Sequence, residues 1–136
     1  MDMENSGIHS GKEERMLDCL AVGLGGFIGS VGRYLCGKIP VKNPGNFPVQ
    51  TFFINIIGAF VIGCVVALAA KHASLTPRQV LFLKTGICGG FTTFSTFSLE
   101  TGDLLRAGNV TTAILYVTLS VVLGVAAVFL AQYIFR

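Results

Sequence analysis

Charge is what this chain has least of. Of 136 residues only 12% are charged, while 52% are hydrophobic and the mean hydropathy is +0.71; soluble domains carry about twice that charge. A compact soluble enzyme is therefore excluded. Carboxylates are scarcer still, since Glu100 and Asp103 are the only two after Asp18, and neither His9 nor His72 has a nucleophile or acid beside it in the sequence. Acid–base catalysis has no machinery here. Ten Lys and Arg against seven Asp and Glu give a net charge of +3, scattered along the chain. No basic stripe exists of the kind nucleic acid demands. The cysteines, Cys19, Cys36, Cys64 and Cys88, stand 17, 28 and 24 residues apart with no C-x-x-C pair. They lack a metal or redox signature and read as small packing residues.

What is abundant is apolar length and glycine, 17 residues of it, in the manner of membrane helices. Residues 1–15 form a polar piece with six charged side chains among Ser, Gly and Asn. Such a piece cannot bury enough to order itself and reads as a frayed tail, and its acids before the apolar run make it unlike a signal peptide. Residues 16–136 read as one four-helix membrane domain. The first apolar segment runs from Met16 to Gly37, but only Cys19–Gly32, 14 residues, precede Arg33. A membrane core needs about 20 residues of helix, so Arg33 sits within or at the edge of the bilayer. Thr51–Ala70 supplies 20 uncharged residues, and the stretch between Arg106 and Arg136 supplies 29.

The third segment is different. Between Lys84 and Glu100 lie 15 uncharged residues, six with hydroxyls, and Thr92-Thr93-Phe94-Ser95-Thr96-Phe97-Ser98 is expected to break the helix because Ser and Thr compete for backbone hydrogen bonds. Interrupted backbone at membrane depth must be covered by protein or line an aqueous path, where its freed carbonyls hold ions. Four spans place both termini on one side. Loop cations then divide five against three, Lys12, Arg15, Lys71, Arg78 and Arg136 opposite Lys38, Lys42 and Arg106. So small a bias specifies orientation weakly, as in a chain that inserts both ways.

Several residues have two readings at this stage. Gly25 and Gly29 match Gly86 and Gly90 as G-x-x-x-G pairs suited to close helix approach, within the chain or with another copy. Asn55, one turn after Thr51, is either an interhelical hydrogen bond or a pore-lining amide. Tyr116 and Ser120 share a face of the last helix. Phe94 and Phe97 either pack in a core or turn positive ring edges toward an anion. Arg33 either snorkels to the headgroups or sets a positive local potential.

Three blocks carry a resemblance. Gly25-Gly26-Phe27-Ile28-Gly29 with Arg33-Tyr34, Phe47-Pro48 with Thr51-Phe52-Phe53-Ile54-Asn55-Ile56-Ile57-Gly58, and Gly86-Ile87-Cys88-Gly89-Gly90-Phe91-Thr92-Thr93-Phe94-Ser95-Thr96-Phe97-Ser98 with Glu100 resemble the CrcB/Fluc fluoride channels over about residues 17–135. The third block is the most specific. The resemblance implies a bacterial inner-membrane protein assembled as an antiparallel, dual-topology homodimer of four-helix protomers, with two fluoride pores and a sodium ion at the dimer centre. It assigns Asn55 to the pore wall, Phe94 and Phe97 to an aromatic box shared across the interface, and the backbone carbonyls of Gly89 and Thr92 to sodium. Arg33 falls near an aqueous entrance, and Tyr116 and Ser120 at the start of a polar track. Gly124 stands where many relatives have a further hydroxyl, and Lys84 matches no motif role. Two other classes remain: a small dual-topology proton-coupled or multidrug transporter, which needs an intramembrane carboxylate, and a structural membrane subunit, which leaves the hydroxyl-rich break unexplained.

Overall fold

The computed structural model describes residues 2–41, 45–71 and 75–135. His72 and the loop cations Lys42 and Arg136 lie outside the described residues. Helix α1 spans Asp2–Gly37 and α2 spans Val49–Lys71. The third rod is assembled from α3 (Pro77–Val80), a π-helical stretch (Leu81–Cys88), α4 (Gly89–Phe91) and α5 (Phe94–Arg106), and α6 spans Val110–Ile134. No strand occurs among the described residues.

Helix α1 extends well before the apolar run at Met16. The polar residues expected to fray therefore carry helical backbone, with Lys12, Glu13, Glu14 and Arg15 all exposed. Once the apolar part has nucleated, extending a helix through good helix formers such as Glu, Lys and Arg costs little. Gly11–Gly37, Val49–Lys71 and Val110–Ile134 are long and apolar enough to cross a membrane. The third rod is not among them, because it is divided into shorter pieces. Large apolar side chains such as Leu24, Phe27, Phe53, Val122 and Phe129 are exposed, a surface suited to lipid rather than water.

Local chemistry sets the ends of the pieces. Thr76-Pro77-Arg78-Gln79 begins the third rod with a capping box: Thr76 Oγ1 accepts from the Gln79 N–H at 3.3 Å, and Gln79 Oε1 accepts from the Thr76 N–H at 2.8 Å. Pro77 occupies the first turn, where its missing N–H is harmless. At the other end Gly108 takes φ +78°, and the Asn109 N–H reaches back to the Leu104 carbonyl at 2.9 Å while the Gly108 N–H reaches Leu105. This is the left-handed glycine stop that terminates α5 and turns the chain into α6. Nothing in the sequence explains why residues 81–88 take the wider π spacing, which in most proteins is confined to a single turn.

With lipid outside and apolar side chains inside, burial drives little association; close packing holds the rods together. Helix α1 lies against the third rod along a seam of glycines. A Cβ on Gly29 would strike the Ile87 carbonyl oxygen and come within 2.8 Å of the Phe91 nitrogen, and one on Gly86 would lie 2.8 Å from the Gly25 Cα. Backbone therefore touches backbone. Gly63 does the same between α2 and α6, where a Cβ would meet Ala131 at 2.8 Å. The seam gives a test: Gly29→Ala should cost about 1–3 kcal/mol by overpacking, whereas Gly23→Ala, with nothing within 4 Å, should be neutral. Unfolding of both variants in mixed detergent micelles measures the difference. Equal stabilities would show that the seam yields.

A second packing centre holds Leu104, Ala113 and the fully buried Tyr116, with Phe47, Phe52 and Phe97 against it. The Phe47 ring meets Phe52 and Tyr116 edge-on at centroid distances of 5.3 Å. The polar groups described next lie between this aromatic cluster and the glycine seam.

Candidate functional site

Helical backbone stops at Phe91 and resumes at Phe94, with Thr92 (φ −77°, ψ 158°) and Thr93 (φ −150°, ψ 115°) extended between them. Side chains take over the hydrogen bonds that the interruption opens. Thr93 caps α5, its Oγ1 accepting from the Thr96 N–H at 3.2 Å. Asn55, from α2, grips the same residue twice: its Nδ2 donates to the Thr93 carbonyl at 3.1 Å, and its Oδ1 accepts from the Thr93 N–H at 2.8 Å. The Thr92 hydroxyl donates back to the Cys88 carbonyl at 2.9 Å. Gly58 leaves room for this bend, since a Cβ there would strike the Thr92 methyl group.

The two N–H groups that would close helical bonds on the carbonyls of Gly89 and Thr92 are those of Thr93 and Thr96. Both donate instead to side-chain oxygens, Asn55 Oδ1 and Thr93 Oγ1. The carbonyls of Gly89 and Thr92 are thereby released from the ladder.

Beside the interruption lies an open groove of about 370 Å³ walled by Asn55, Thr92, Thr93, Phe94, Phe97 and Ser120, among others. Asn55 has spent one N–H on Thr93 and keeps a second. Ser120 Oγ is buried and makes no hydrogen bond among the described residues. The Phe94 and Phe97 rings are tilted 40° to each other with centroids 5.8 Å apart. Phe94 is 79% exposed, so this large ring has almost no cover from its own chain.

The other residues singled out from the sequence lie elsewhere. Tyr116 does not line the groove: it is fully buried behind Phe97, with ring centroids 5.0 Å apart, and its hydroxyl donates to Glu100 Oε2 at 2.8 Å. Arg33 faces a separate cavity of about 440 Å³, shared with Ser30, Gln50, Thr51, Thr93, Thr96 and Glu100. Only Thr93 walls both spaces. A Cβ on Gly124 would make only ordinary contact, with Ile56 at 3.9 Å. Lys84 is exposed on the π-helical stretch. Sequence reasoning missed the roles of Thr93 and Glu100. Thr93 carried a usable signal, a hydroxyl three residues before Thr96 at the start of a helix, and Glu100 carried another, as one of only two carboxylates after Asp18, at the end of an uncharged segment.

Membrane-length apolar helices around an interrupted one, with polar side chains and two aromatic rings lining a groove at the interruption, define a small multi-pass membrane protein. The chain belongs to the CrcB family: residues 20–132 match the family described as CrcB-like protein, Camphor Resistance (CrcB). Curated relatives agree. The fluoride-specific ion channel FluC of Chlorobaculum tepidum is 48% identical over 115 residues, covering 84% of this chain and 90% of its own. That of Azobacteroides pseudotrichonymphae is 44% identical over 110 residues, covering 80% and 88%, and that of Ruminiclostridium cellulolyticum 40% over 120 residues, covering 88% and 92%.

Proposed function

We propose that this protein is a fluoride-specific ion channel that lowers cytoplasmic fluoride by passive efflux of the anion. The observation that carries the reading is the donor content of the groove: the second N–H of Asn55, the unpartnered buried hydroxyl of Ser120 and the rings of Phe94 and Phe97. Fluoride is small and tightly hydrated. A conducting path must replace its water with hydrogen-bond donors, which chloride, larger and softer, uses less well. Ring edges carry partial positive charge and complete such a shell without adding a fixed cation that would trap the ion. No energy source is needed, because an interior-negative potential expels an anion with about 2.3 kcal/mol per 100 mV. Fluoride enters as its neutral acid and ionises inside, so a leak for the ion undoes the trapping.

The working unit in this reading is an antiparallel, dual-topology homodimer in the bacterial inner membrane, with the third rod of each four-span protomer as its broken third span. Exposure of Phe94 supports it, since a partner protomer would cover the ring and share the aromatic box. The released carbonyls of Gly89 and Thr92 suit a structural sodium ion, a hard cation that binds oxygen. Two carbonyls from each protomer would hold it at the dimer centre, where its charge fastens the two interruptions together. Arg33, in the neighbouring cavity, raises the potential near an entrance, and Ser120 begins the polar track along α6.

Proteoliposomes loaded with fluoride, and with chloride as control, test the function. Rapid fluoride efflux on shunting the membrane potential with a potassium ionophore is expected, with little chloride efflux and no need for a proton gradient. A cysteine added at the C-terminus should label from both faces of the membrane. Equal fluoride and chloride fluxes, or efflux that requires a proton gradient, would sink the channel reading in favour of a general anion leak or a coupled transporter.

A further inference from the structure

Glu100 has no part in the reading above, yet three helices meet at its carboxylate. Thr51 of α2, 6% exposed, donates to Oε1 at 2.8 Å, and Tyr116 of α6, fully buried, donates to Oε2 at 2.8 Å. Neither of the ion pairs among the described residues includes Glu100. Both of its oxygens are thus engaged by hydroxyl protons, and charge-assisted bonds of this kind are about twice as strong as neutral ones. The arrangement dictates where two protons point. Tyr116 spends its only proton on Glu100, so its hydroxyl has none left for an ion. Its ring is fixed in turn, and it lies against Phe97, which lies against Phe94.

We propose that Glu100 is a positioning residue for selectivity: its carboxylate holds Tyr116 by the hydroxyl, and the Tyr116 ring sets the tilt of Phe97 toward the groove. This rests on the channel reading, with the Phe97 edge as an ion contact, and adds what aims that edge. The cluster is laid out as a line, carboxylate, phenol, ring, ring, with α2 tied in through Thr51. A carboxylate is suited to the task because it only accepts hydrogen bonds. An amide in its place offers one acceptor and one donor, so one of the two hydroxyls must turn around.

The test uses the full chain in proteoliposomes, with fluoride and chloride efflux normalised to folded protein, for wild type, Glu100→Gln, Tyr116→Phe and the double variant. Each single variant should lower the fluoride-to-chloride flux ratio about tenfold, the size of coupling usual within one hydrogen-bonded network. The double variant should do no worse than the singles, because they break one unit. A separate reading comes from 4-fluorophenylalanine at position 97, whose ¹⁹F resonance should move in Glu100→Gln and in Tyr116→Phe, while the same label at the exposed Phe129 stays unchanged. Tyr116→Phe keeps the ring and loses only the hydroxyl, so it carries the test if Glu100→Gln does not fold. A wild-type flux ratio with an unmoved resonance in Tyr116→Phe overturns the proposal, as do losses that add in the double variant. A wild-type chain that passes no fluoride removes the channel reading instead, and the position-97 resonance then decides the positioning by itself.

Discussion

Replacing Phe94 with Ile is expected to cut fluoride efflux by about tenfold or more, the equivalent of one aromatic edge contact of about 1.5 kcal/mol, while the stability of the protomer's own fold hardly changes. The two effects separate at this position because of its exposure. At 79% exposed, the Phe94 ring packs on little of its own chain, and Ile keeps much of the bulk while removing the positive edge. Phe97→Ile should lose flux to a similar degree and stability as well, since this ring packs against Tyr116 at 5.0 Å. Efflux per folded protein, read beside a thermal melt, distinguishes the outcomes. Wild-type flux per folded molecule in both variants would mean that the rings only pack.

Asn55→Asp should reduce fluoride flux about a hundredfold, because a carboxylate facing an anion costs several kcal/mol. It also unmakes the grip on Thr93. The Asp oxygen replacing Nδ2 faces the Thr93 carbonyl, acceptor against acceptor, where Asn55 now donates at 3.1 Å. An unsatisfied buried acceptor costs about 1–3 kcal/mol, so the variant should melt earlier. Asn55→Leu is the useful companion, since it abolishes both bonds without bringing charge. If Leu retains wild-type flux per folded molecule while Asp blocks, the amide serves the backbone alone and the block is simple repulsion. Loss in both variants is the expected result, because in the channel reading proposed above the second N–H of the amide contacts the ion.

Much of this architecture is legible in the sequence because apolar run length is a strong signal. Thr51–Ala70 becomes α2 at Val49–Lys71, and the long run after Arg106 becomes α6 at Val110–Ile134. Composition marks seven residues from Thr92 to Ser98 as helix-breaking, yet the extended backbone is confined to Thr92 and Thr93. The difference is a cap. Once Thr93 holds the Thr96 N–H, the hydroxyls that follow can point backward to carbonyls within a helix, as Ser98 does to Phe94 at 2.9 Å. The π spacing of residues 81–88 leaves no trace in residue types, because it depends on which carbonyl each N–H finds. The Glu100 cluster was out of reach for another reason. Its partners stand 49 and 16 residues away, and only the docking of α2 and α6 brings them together. Grouping Tyr116 with Ser120 on one helix face was correct in spacing but silent on depth: one hydroxyl ends up behind the aromatic layer and the other buried in the wall of the groove.

The glycine seam between α1 and the third rod bears on motion as well as packing. Glycine has no rotamers to freeze, so where Gly25 abuts Gly86, Gly26 abuts Gly90 and Gly29 meets the backbone of Ile87 and Phe91, nothing at the contact can swing aside and return. A joint of that kind is an abutment and not a hinge. Sliding it would drive carbonyl oxygens into Cα atoms, and opening it would leave a void that lipid tails cannot enter. Whatever displacement the channel reading requires therefore begins beyond Gly90, where the backbone is held by the side chains of Asn55, Thr92 and Thr93 and can be let go one hydrogen bond at a time.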